Sequence, residues 1–317
     1  MAQHVEVIDV APRDGLQNER NPVSTEQKLG LIEKLVGAGV TAIQATSFVD
    51  PKRVPQMADA ETVAQGLSRF PGVRFSALIL NFKGYERAVA SGFRQIDFVV
   101  AVSDTFNRRN ANRSVAESLQ ILDQVSRAAA RDGVAVCIGI ATSFHCPFEG
   151  RISAAQLARV VKSAREHGPW RVGVADTTGM AFPDQIEQSV VVLGKEAGVA
   201  PAEIILHFHD TYGRGLANTL AGIKAGVGAF ETAVGGLGGC PFCPGATGNL
   251  ATEDLVAFVE GLGYSTGIDM EKLLDAAETA NGFTAVPYQG HLLRALRHGA
   301  VARARPAEVS APVGGGR

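Results

Sequence analysis

The sequence predicts an α/β fold, a TIM (β/α)8 barrel in a single domain with a short C-terminal extension. Three observations predict it. Short β-branched runs alternate with longer segments of helical spacing, eight such runs can be counted, and the turn after the first run is charged rather than glycine-rich. Alternating strands and helices indicate a parallel sheet. A doubly wound dinucleotide-binding sheet would need a glycine fingerprint in that first turn, so the closed barrel is favoured.

The eight β-branched runs are the predicted strands. They cover residues 5–10, 42–48, 73–80, 96–102, 134–141, 172–175, 204–208 and 230–234. Residues 1–285 are therefore predicted to form the barrel. Residues 286–317 are predicted to form a C-terminal helical extension with a disordered tail, because residues 301–317 are rich in Ala, Pro, Gly and Arg.

Helix starts are predicted at three positions between the strands. Ser24 precedes a segment with apolar residues on one face, and Gly39 marks its end. Ser153 opens a second helix, and Thr252 opens a third whose first turn is acidic. Hydroxyl side chains and early acidic residues are typical of helix N-termini.

The composition is that of a globular protein, with a formal net charge of −2 and 46% hydrophobic residues. No strong basic bias indicates a nucleic-acid surface. No apolar run approaches the roughly 20 residues that a membrane span needs. The first residues enter a strand at once, so no signal or transit peptide is predicted. Four cysteines are too few to cross-link the chain. We therefore expect a cytoplasmic protein with a small-molecule substrate and with neither nucleic-acid nor membrane partners.

Candidate metal ligands follow the seventh and first predicted strands. His207 and His209 stand at i and i+2, and such side chains point to the same face of a strand. A single hydrogen-bonded histidine with a chance neighbour is the alternative. Asp14 follows the first strand, and barrel closure brings that strand near the seventh through the eighth. An ordinary ion pair between Arg13 and Asp14 is the competing interpretation.

A glycine-rich loop, residues 235–249, follows the eighth strand and can close over a ligand. It matches neither a phosphate loop nor a dinucleotide fingerprint. Cys240 and Cys243 have redox spacing, but they do not follow a first strand as in glutaredoxin-like proteins. A structural zinc site is not predicted, because the sequence contains no second pair of closely spaced cysteines. Asp176 follows the sixth strand, where it could act as a base, orient a metal shell or cap the next turn.

Asp14, His207, His209 and Asn249 would make a mixed oxygen and nitrogen ligand set without a thiolate. Such a set favours one divalent cation, Mg²⁺ or Mn²⁺, over a closed zinc site. Zn²⁺ and Co²⁺ remain alternatives.

Several stretches together resemble one family. They are RDGLQNE at 13–19, TSF at 46–48, PK at 51–52, VPQM at 54–57, CPFEG at 146–150, HFHDTYG at 207–213, GLGGCP at 236–241 and GNLATED at 248–254. This combination resembles the hydroxymethylglutaryl-CoA lyase family, within the barrel metal-dependent lyases and Claisen-type synthases. The resemblance runs from about residue 5 to about residue 274.

The resemblance implies a metal-dependent carbon–carbon lyase that cleaves 3-hydroxy-3-methylglutaryl-CoA to acetyl-CoA and acetoacetate, with coenzyme A as part of the substrate. It implies a homodimer. It also implies the site residues. The metal ligands would be Asp14, His207, His209 and Asn249; the catalytic residues Arg13, Cys240 and Asp176; and the substrate-binding residues Gln17, Gln44, Arg108 and Arg109.

Arg108 and Arg109, with Arg113, follow the fourth strand, where they could meet the phosphates of coenzyme A or form a solvated basic loop. Gln44 and Asp9 depart from the family pattern, because glutamate is usual on strands two and one. A lyase for a related thioester such as citramalyl-CoA, giving acetyl-CoA and pyruvate, is therefore an alternative.

Three further hypotheses complete the expectations. A Cys240–Cys243 disulfide could switch the activity off. A synthase is disfavoured because no long C-terminal regulatory region follows the barrel. A catalytically idle barrel is disfavoured because the implied ligands and catalytic residues are all present.

Overall fold

The computed structural model describes residues 2–239, 248–284 and 290–297. Eight parallel strands within these ranges close into a barrel, each beside its neighbour in the chain, with the last beside the first. The strands are β1 (Glu6–Asp9), β2 (Ala42–Ser47), β3 (Arg74–Ile79), β4 (Gln95–Ala101), β5 (Ala135–Ala141), β6 (Arg171–Asp176), β7 (Ile204–Phe208) and β8 (Ala229–Thr232). The predicted TIM (β/α)8 barrel is confirmed.

Helices surround the barrel. They are α1 (Thr25–Gly37), α2 (Ala60–Leu67), α3 (Phe82–Ala90), α4 (Asp104–Ala111), α5 (Val115–Asp132), α6 (Ala154–Arg165), α7 (Pro183–Ala197), α8 (Gly215–Lys224), α9 (Thr252–Gly261), α10 (Met270–Asn281) and α11 (His291–Arg297). Of the helix starts predicted from sequence, Ser24 and Ser153 form capping boxes with the glutamines three residues on, and α9 begins at Thr252. No helix in the described ranges is both long and apolar enough to cross a bilayer.

A short antiparallel hairpin between β5 and α6 was not predicted. It pairs His145–Cys146 with Gly150–Arg151. Its two-residue strands are too short to produce a period in the sequence.

The barrel interior is polar at its N-terminal end. There, Glu6 binds the guanidinium groups of Arg74 and Arg171 from β3 and β6. The hydrophobic core lies mainly between the strands and the helices, where Leu31 and Leu35 of α1 are fully buried. This ion cluster fills the end of the barrel opposite the strand termini that carry the predicted site.

Asp9 at the end of β1 joins three segments at the C-terminal end of the barrel. Its carboxylate accepts hydrogen bonds from the amides of Ala11 (2.8 Å) and Val234 (3.0 Å) and from Thr252 Oγ1 (2.7 Å). Because a buried carboxylate needs such donors, Asp9 fixes the turns after β1 and β8 relative to α9. Burial raises the pKa of Asp9 to about 6, although these hydrogen bonds oppose the shift.

The predicted boundary between residues 285 and 286 and the predicted disordered tail, residues 301–317, fall outside the described residues. Both stay predictions.

Candidate metal centre and active site

Two imidazoles from β7 lie side by side at the mouth of the barrel. His207 and His209 are both buried, and their ring centroids are 5.2 Å apart. Their common direction follows from the two-residue period of a strand. The structure thus brings together the pair that the sequence predicted.

Glu231 orients the first of these rings, and sequence reasoning missed it. Its Oε2 lies 2.9 Å from His207 Nδ1, and the two residues are in register on β7 and β8. The carboxylate favours a proton on Nδ1, which leaves Nε2 as the ligand atom. Burial alone would lower the pKa of His207, but Glu231 and Asp14 raise it above its usual value.

Asp14 reaches the imidazoles from a single wide helical turn, Ala11–Gly15. The amides of Arg13, Asp14 and Gly15 all point to the carbonyl of Val10, which aims the turn across the barrel mouth. Ligand atoms of Asp14, His207 and His209 lie within 4.8 Å of one another. Asp14 Oδ2 is 3.9 Å from His209 Nε2. Three donors at this spacing can share one cation.

The charge on Asp14 is strongly favoured. Burial would raise its pKa, but Arg13, the two imidazoles and Asn249 together lower it to about 2. The Arg13 guanidinium touches Asp14 Oδ1, as the ion-pair interpretation required. Both interpretations of Asp14 therefore hold at once, since its other oxygen faces the imidazoles.

Asn249 completes the group. Its Nδ2 donates to Asp14 Oδ2 (2.9 Å) and to the carbonyl of Leu237 (3.0 Å). Its Oδ1 is buried and accepts no hydrogen bond in the described part of the chain. A buried carbonyl oxygen without a donor is costly, and a hard cation removes that cost. The amide nitrogen of Asn249 is thus the atom that faces Asp14, and its oxygen is the acceptor left for a cation.

Glycines let the loop after β8 approach this group. Gly238 has φ +111°, and a Cβ there would lie 2.6 Å from Asn249 Nδ2. A Cβ on Gly248 would lie 1.8 Å from the carbonyl of Gly236. Asn18 Nδ2 donates to the carbonyl of Gly239 (2.8 Å) and ties the start of the loop to the turn after β1. Cys240 and Cys243 lie outside the described residues, so their predicted roles and the disulfide hypothesis stay predictions.

We call Asp14, His207, His209 and Asn249 the metal group. A cavity of about 160 Å³ opens beside it and is lined by the first three of these residues. It is lined by Arg13 and Gln17 from the turn after β1, and by Gln44, Asp97 and Cys137 from the interior faces of β2, β4 and β5. The predicted substrate-binding residues Gln17 and Gln44 therefore border the same space as the metal group. Asp97 has no counterpart in the sequence prediction.

Asp176 lies elsewhere. Ala175 lines the cavity, and strand alternation turns the next side chain outward. The fully buried Asp176 carboxylate accepts hydrogen bonds from the amides of Met180 (3.1 Å) and Ala181 (2.9 Å). Burial raises its pKa to about 6 against the effect of these bonds. These hydrogen bonds show that Asp176 caps the next turn, which was one of the alternatives predicted for it.

The three arginines after β4 differ in their contacts. Arg113 donates to the carbonyl of Leu80 (2.8 Å) and is held against the barrel. Arg108 pairs with Asp104 on the exposed face of α4. The Arg109 guanidinium lies 4.1 Å from the ring centroid of Phe148. Phe106 and Asn110, one turn apart on the same helix, line the cavity, whereas Arg108 lies on the opposite, exposed face of that helix.

Comparison with known proteins gives a consistent result. Residues 4–280 match the model of the HMGL-like family. The chain is 44% identical to the mitochondrial hydroxymethylglutaryl-CoA lyase of Macaca fascicularis over 276 residues, 87% of this chain and 84% of that protein. It is 40% identical to a 3-hydroxy-3-methylglutaryl-CoA lyase of Danio rerio, named as cytoplasmic, over 87% of this chain and 82% of that protein.

A solved structure also resembles this chain closely. An HMG-CoA lyase from Acinetobacter baumannii, in complex with coenzyme A and 3-methylmalate, superposes with a TM-score of 0.87 and 37% identity. The match covers 92% of this chain and 95% of that one.

Proposed function

The chain belongs to the HMGL-like family, and we propose that it is a hydroxymethylglutaryl-CoA lyase that cleaves 3-hydroxy-3-methylglutaryl-CoA to acetyl-CoA and acetoacetate. The observation that carries the proposal is the convergence of Asp14, His207, His209 and Asn249 beside a cavity that is open to a ligand. In this proposal the four side chains hold one divalent cation, Mg²⁺ or Mn²⁺. When bound, such a cation lowers the pKa of a coordinated hydroxyl and polarises a neighbouring carbonyl.

The donor set supports this choice of metal. Carboxylate and amide oxygens are ligands that Mg²⁺ and Mn²⁺ prefer, and no described cysteine stands among the candidate ligands. Glu231 holds His207 in the tautomer that a metal ligand needs. Asp14 stays ionised at neutral pH because its pKa is about 2.

The reaction removes the proton of the C3 hydroxyl, breaks the C2–C3 bond and leaves a thioester enolate that takes up a proton at C2. Arg13 lines the cavity and bears a fixed positive charge, so we assign it to the enolate oxygen. Asp14 holds the guanidinium in place through their ion pair. Cys240 is assigned as the donor of the final proton, because Gly239, the residue before it in the glycine-rich loop, lines the cavity.

Asp176 acts in this proposal as a positioning residue. Its carboxylate fixes the turn after β6, and its carbonyl accepts a hydrogen bond from the His209 amide (3.3 Å). The residue therefore holds the end of β7, where both imidazoles are attached.

Gln17 and Gln44 are assigned to the acyl end of the substrate, since both line the cavity. Arg108 and Arg109 are assigned to the phosphates of coenzyme A, because they are carried by α4, the helix whose Phe106 and Asn110 line the cavity. The related lyase bound to coenzyme A supports a thioester substrate. A homodimer in the cytoplasm completes the proposal; the Danio rerio relative supports this location.

A panel of hydroxyacyl-CoA thioesters, assayed with Mg²⁺ or Mn²⁺, tests the proposal. We expect 3-hydroxy-3-methylglutaryl-CoA to give acetyl-CoA and acetoacetate by mass spectrometry, and chelation to abolish the reaction. Cleavage of citramalyl-CoA to acetyl-CoA and pyruvate, with no cleavage of 3-hydroxy-3-methylglutaryl-CoA, would show that the proposed substrate is wrong and the proposed type of reaction is right. No cleavage of any thioester would refute the lyase.

A further inference from the structure

The floor of the cavity contains a carboxylate that the proposed chemistry does not use. Asp97 projects from β4 into the barrel interior, is 7% exposed and lines the cavity beside Gln44. Its Oδ2 accepts hydrogen bonds from Gln44 Nε2 (2.6 Å) and from Ser76 Oγ (2.5 Å). Two strands, β2 and β3, therefore each direct a donor at the same oxygen.

This arrangement fixes the orientation of the Gln44 amide. An ionised carboxylate only accepts hydrogen bonds, so the amide must turn its NH₂ group toward Asp97. The carbonyl oxygen of Gln44 is then the atom that the amide can offer to a ligand in the cavity. Burial and the charge of Glu231 raise the pKa of Asp97 to about 6, so the carboxylate is mostly ionised at pH 7.5.

Glu231 lines the same floor, and its carboxylate likewise offers only acceptor oxygens. The fixed positive side chain of the cavity, Arg13, comes from the turn at the mouth. The floor thus carries the negative charges of Asp97 and Glu231, whereas the cation Arg13 stands at the mouth, paired with Asp14.

We propose that Asp97 is a specificity-determining positioning residue, which acts through Gln44 to present a hydrogen-bond acceptor, the Gln44 carbonyl oxygen, to the acyl group of the substrate. The inference deepens the proposed lyase function by naming what the floor selects. It favours an acyl group with a hydroxyl donor. It rejects a carboxylate, which is directed instead to the mouth.

Asp97→Asn tests the inference directly. The new amide can donate as well as accept, so the Gln44 amide is free to turn over and present its NH₂ group to the cavity. The probes are 3-hydroxybutyryl-CoA and butyryl-CoA, which differ only in the hydroxyl. Calorimetric titration of the Mg²⁺-loaded protein should show the hydroxylated thioester binding about 10-fold more tightly. The cation contributes equally to this preference in both proteins, so the variant should lose the several-fold part that the Gln44 oxygen supplies.

The double variant Gln44→Glu/Asp97→Asn is the rescue. It exchanges amide and carboxylate between β2 and β4, keeps the hydrogen bond and the total charge, and still presents an acceptor oxygen to the cavity. We expect it to recover the preference. Ser76→Ala is the matched control, because it removes one hydrogen bond to Asp97 and leaves the Gln44 bond in place. It should keep the preference.

Two results would overturn the inference: Asp97→Asn that keeps the preference, or a folded double variant that fails to recover it. If Asp97→Asn does not fold, Gln44→Met removes the acceptor instead and must lose the preference. Binding needs no cleavage, so the two proposals fail separately. A protein that shows the preference but cleaves no thioester refutes the lyase alone, whereas an active lyase whose Asp97→Asn variant keeps the preference refutes the inference alone.

Discussion

Charged side chains occupy both ends of the barrel interior, but their partners differ. At the N-terminal end, each carboxylate oxygen of Glu6 has its own guanidinium, from Arg74 and from Arg171. At the C-terminal end, one oxygen of Asp14 meets the Arg13 guanidinium and the other faces the imidazoles, and the adjacent Asn249 oxygen is buried without a donor among the described residues. In the first cluster both carboxylate oxygens are paired with a cation, whereas the second keeps acceptor atoms, Asp14 Oδ2 and Asn249 Oδ1, that no guanidinium contacts among the described residues.

The difference shows how to separate a structural cluster from a binding site within one barrel. A buried carboxylate with matched donors contributes to the fold and gains nothing from a ligand. A group of acceptors that face one another gains stability only when a cation or a substrate arrives. Substitutions at the two ends should therefore separate activity from stability.

Removing a proposed ligand should have the largest effect. His209→Ala should lower kcat/KM by about 1,000-fold or more, because the cation would lose a ligand and its position over the substrate. The melting temperature without metal should change little by comparison. Kinetics and metal titration by calorimetry on the same preparation check this, and activity within about 10-fold of the parent would contradict the metal centre.

Glu231→Gln should have the next largest effect, because the amide holds His207 less firmly than the carboxylate does. Outer partners of metal-bound histidines usually change affinity or activity by about 10–100-fold. We expect weaker Mn²⁺ binding with an unchanged stoichiometry. Loss of activity without any change in Mn²⁺ affinity would move Glu231 from ligand support to another role.

At the N-terminal end of the barrel, Glu6→Gln should lower stability and leave activity nearly unchanged. It leaves two guanidinium groups without their carboxylate, and Arg171 is 7% exposed. Since Glu6 is itself partly exposed, we expect a loss of about 1–2 kcal/mol in the free energy of unfolding. kcat/KM below the melting transition should stay within about 3-fold of the parent. Urea unfolding and steady-state kinetics measure the two quantities. A loss of activity without a loss of stability would contradict a purely structural role for the Glu6 cluster.

The sequence predicted the fold and most of the metal group for the same physical reason. Strand period two placed His207 and His209 on one face, and barrel closure brought Asp14 to them. Predicted strand 204–208 matches β7, whereas predicted strand 230–234 ends two residues late because Ala233 and Val234 continue the apolar run into a turn.

Asp97 and Glu231 could not be found in this way. Each is the one charged residue of its strand, and its importance depends on register with a neighbouring strand. Glu231 matters because it stands beside His207, and Asp97 because its oxygen meets Gln44 from β2. Register between strands is a property of the closed barrel, whereas Asp176 required only the alternation within β6 to show that it points outward.

The last expected effect concerns the pH dependence of stability rather than activity, and it arises behind the mouth of the barrel. Glu253 is fully buried, and its Oε2 accepts a hydrogen bond from the Gly235 amide (3.0 Å). Burial raises the pKa of Glu253 from 4.5 to about 8, and the charges of Asp254 and Asp9 add to the shift. A raised folded-state pKa stabilises the fold fully below the unfolded value and loses that contribution as the pH rises through about 8.

Glu253→Gln keeps the acceptor for Gly235 and removes the titration. The melting temperature of the variant minus that of the parent should therefore increase between about pH 5 and about pH 8, and level off above. Thermal unfolding in a buffer series measures the difference. A difference that stays constant across this range would mean that Glu253 ionises in the folded protein as it does in the unfolded one. The Glu253 carboxylate would then be open to water. The incomplete pairing at the C-terminal end of the barrel would in that case include α9, which carries Glu253, as well as the proposed metal ligands.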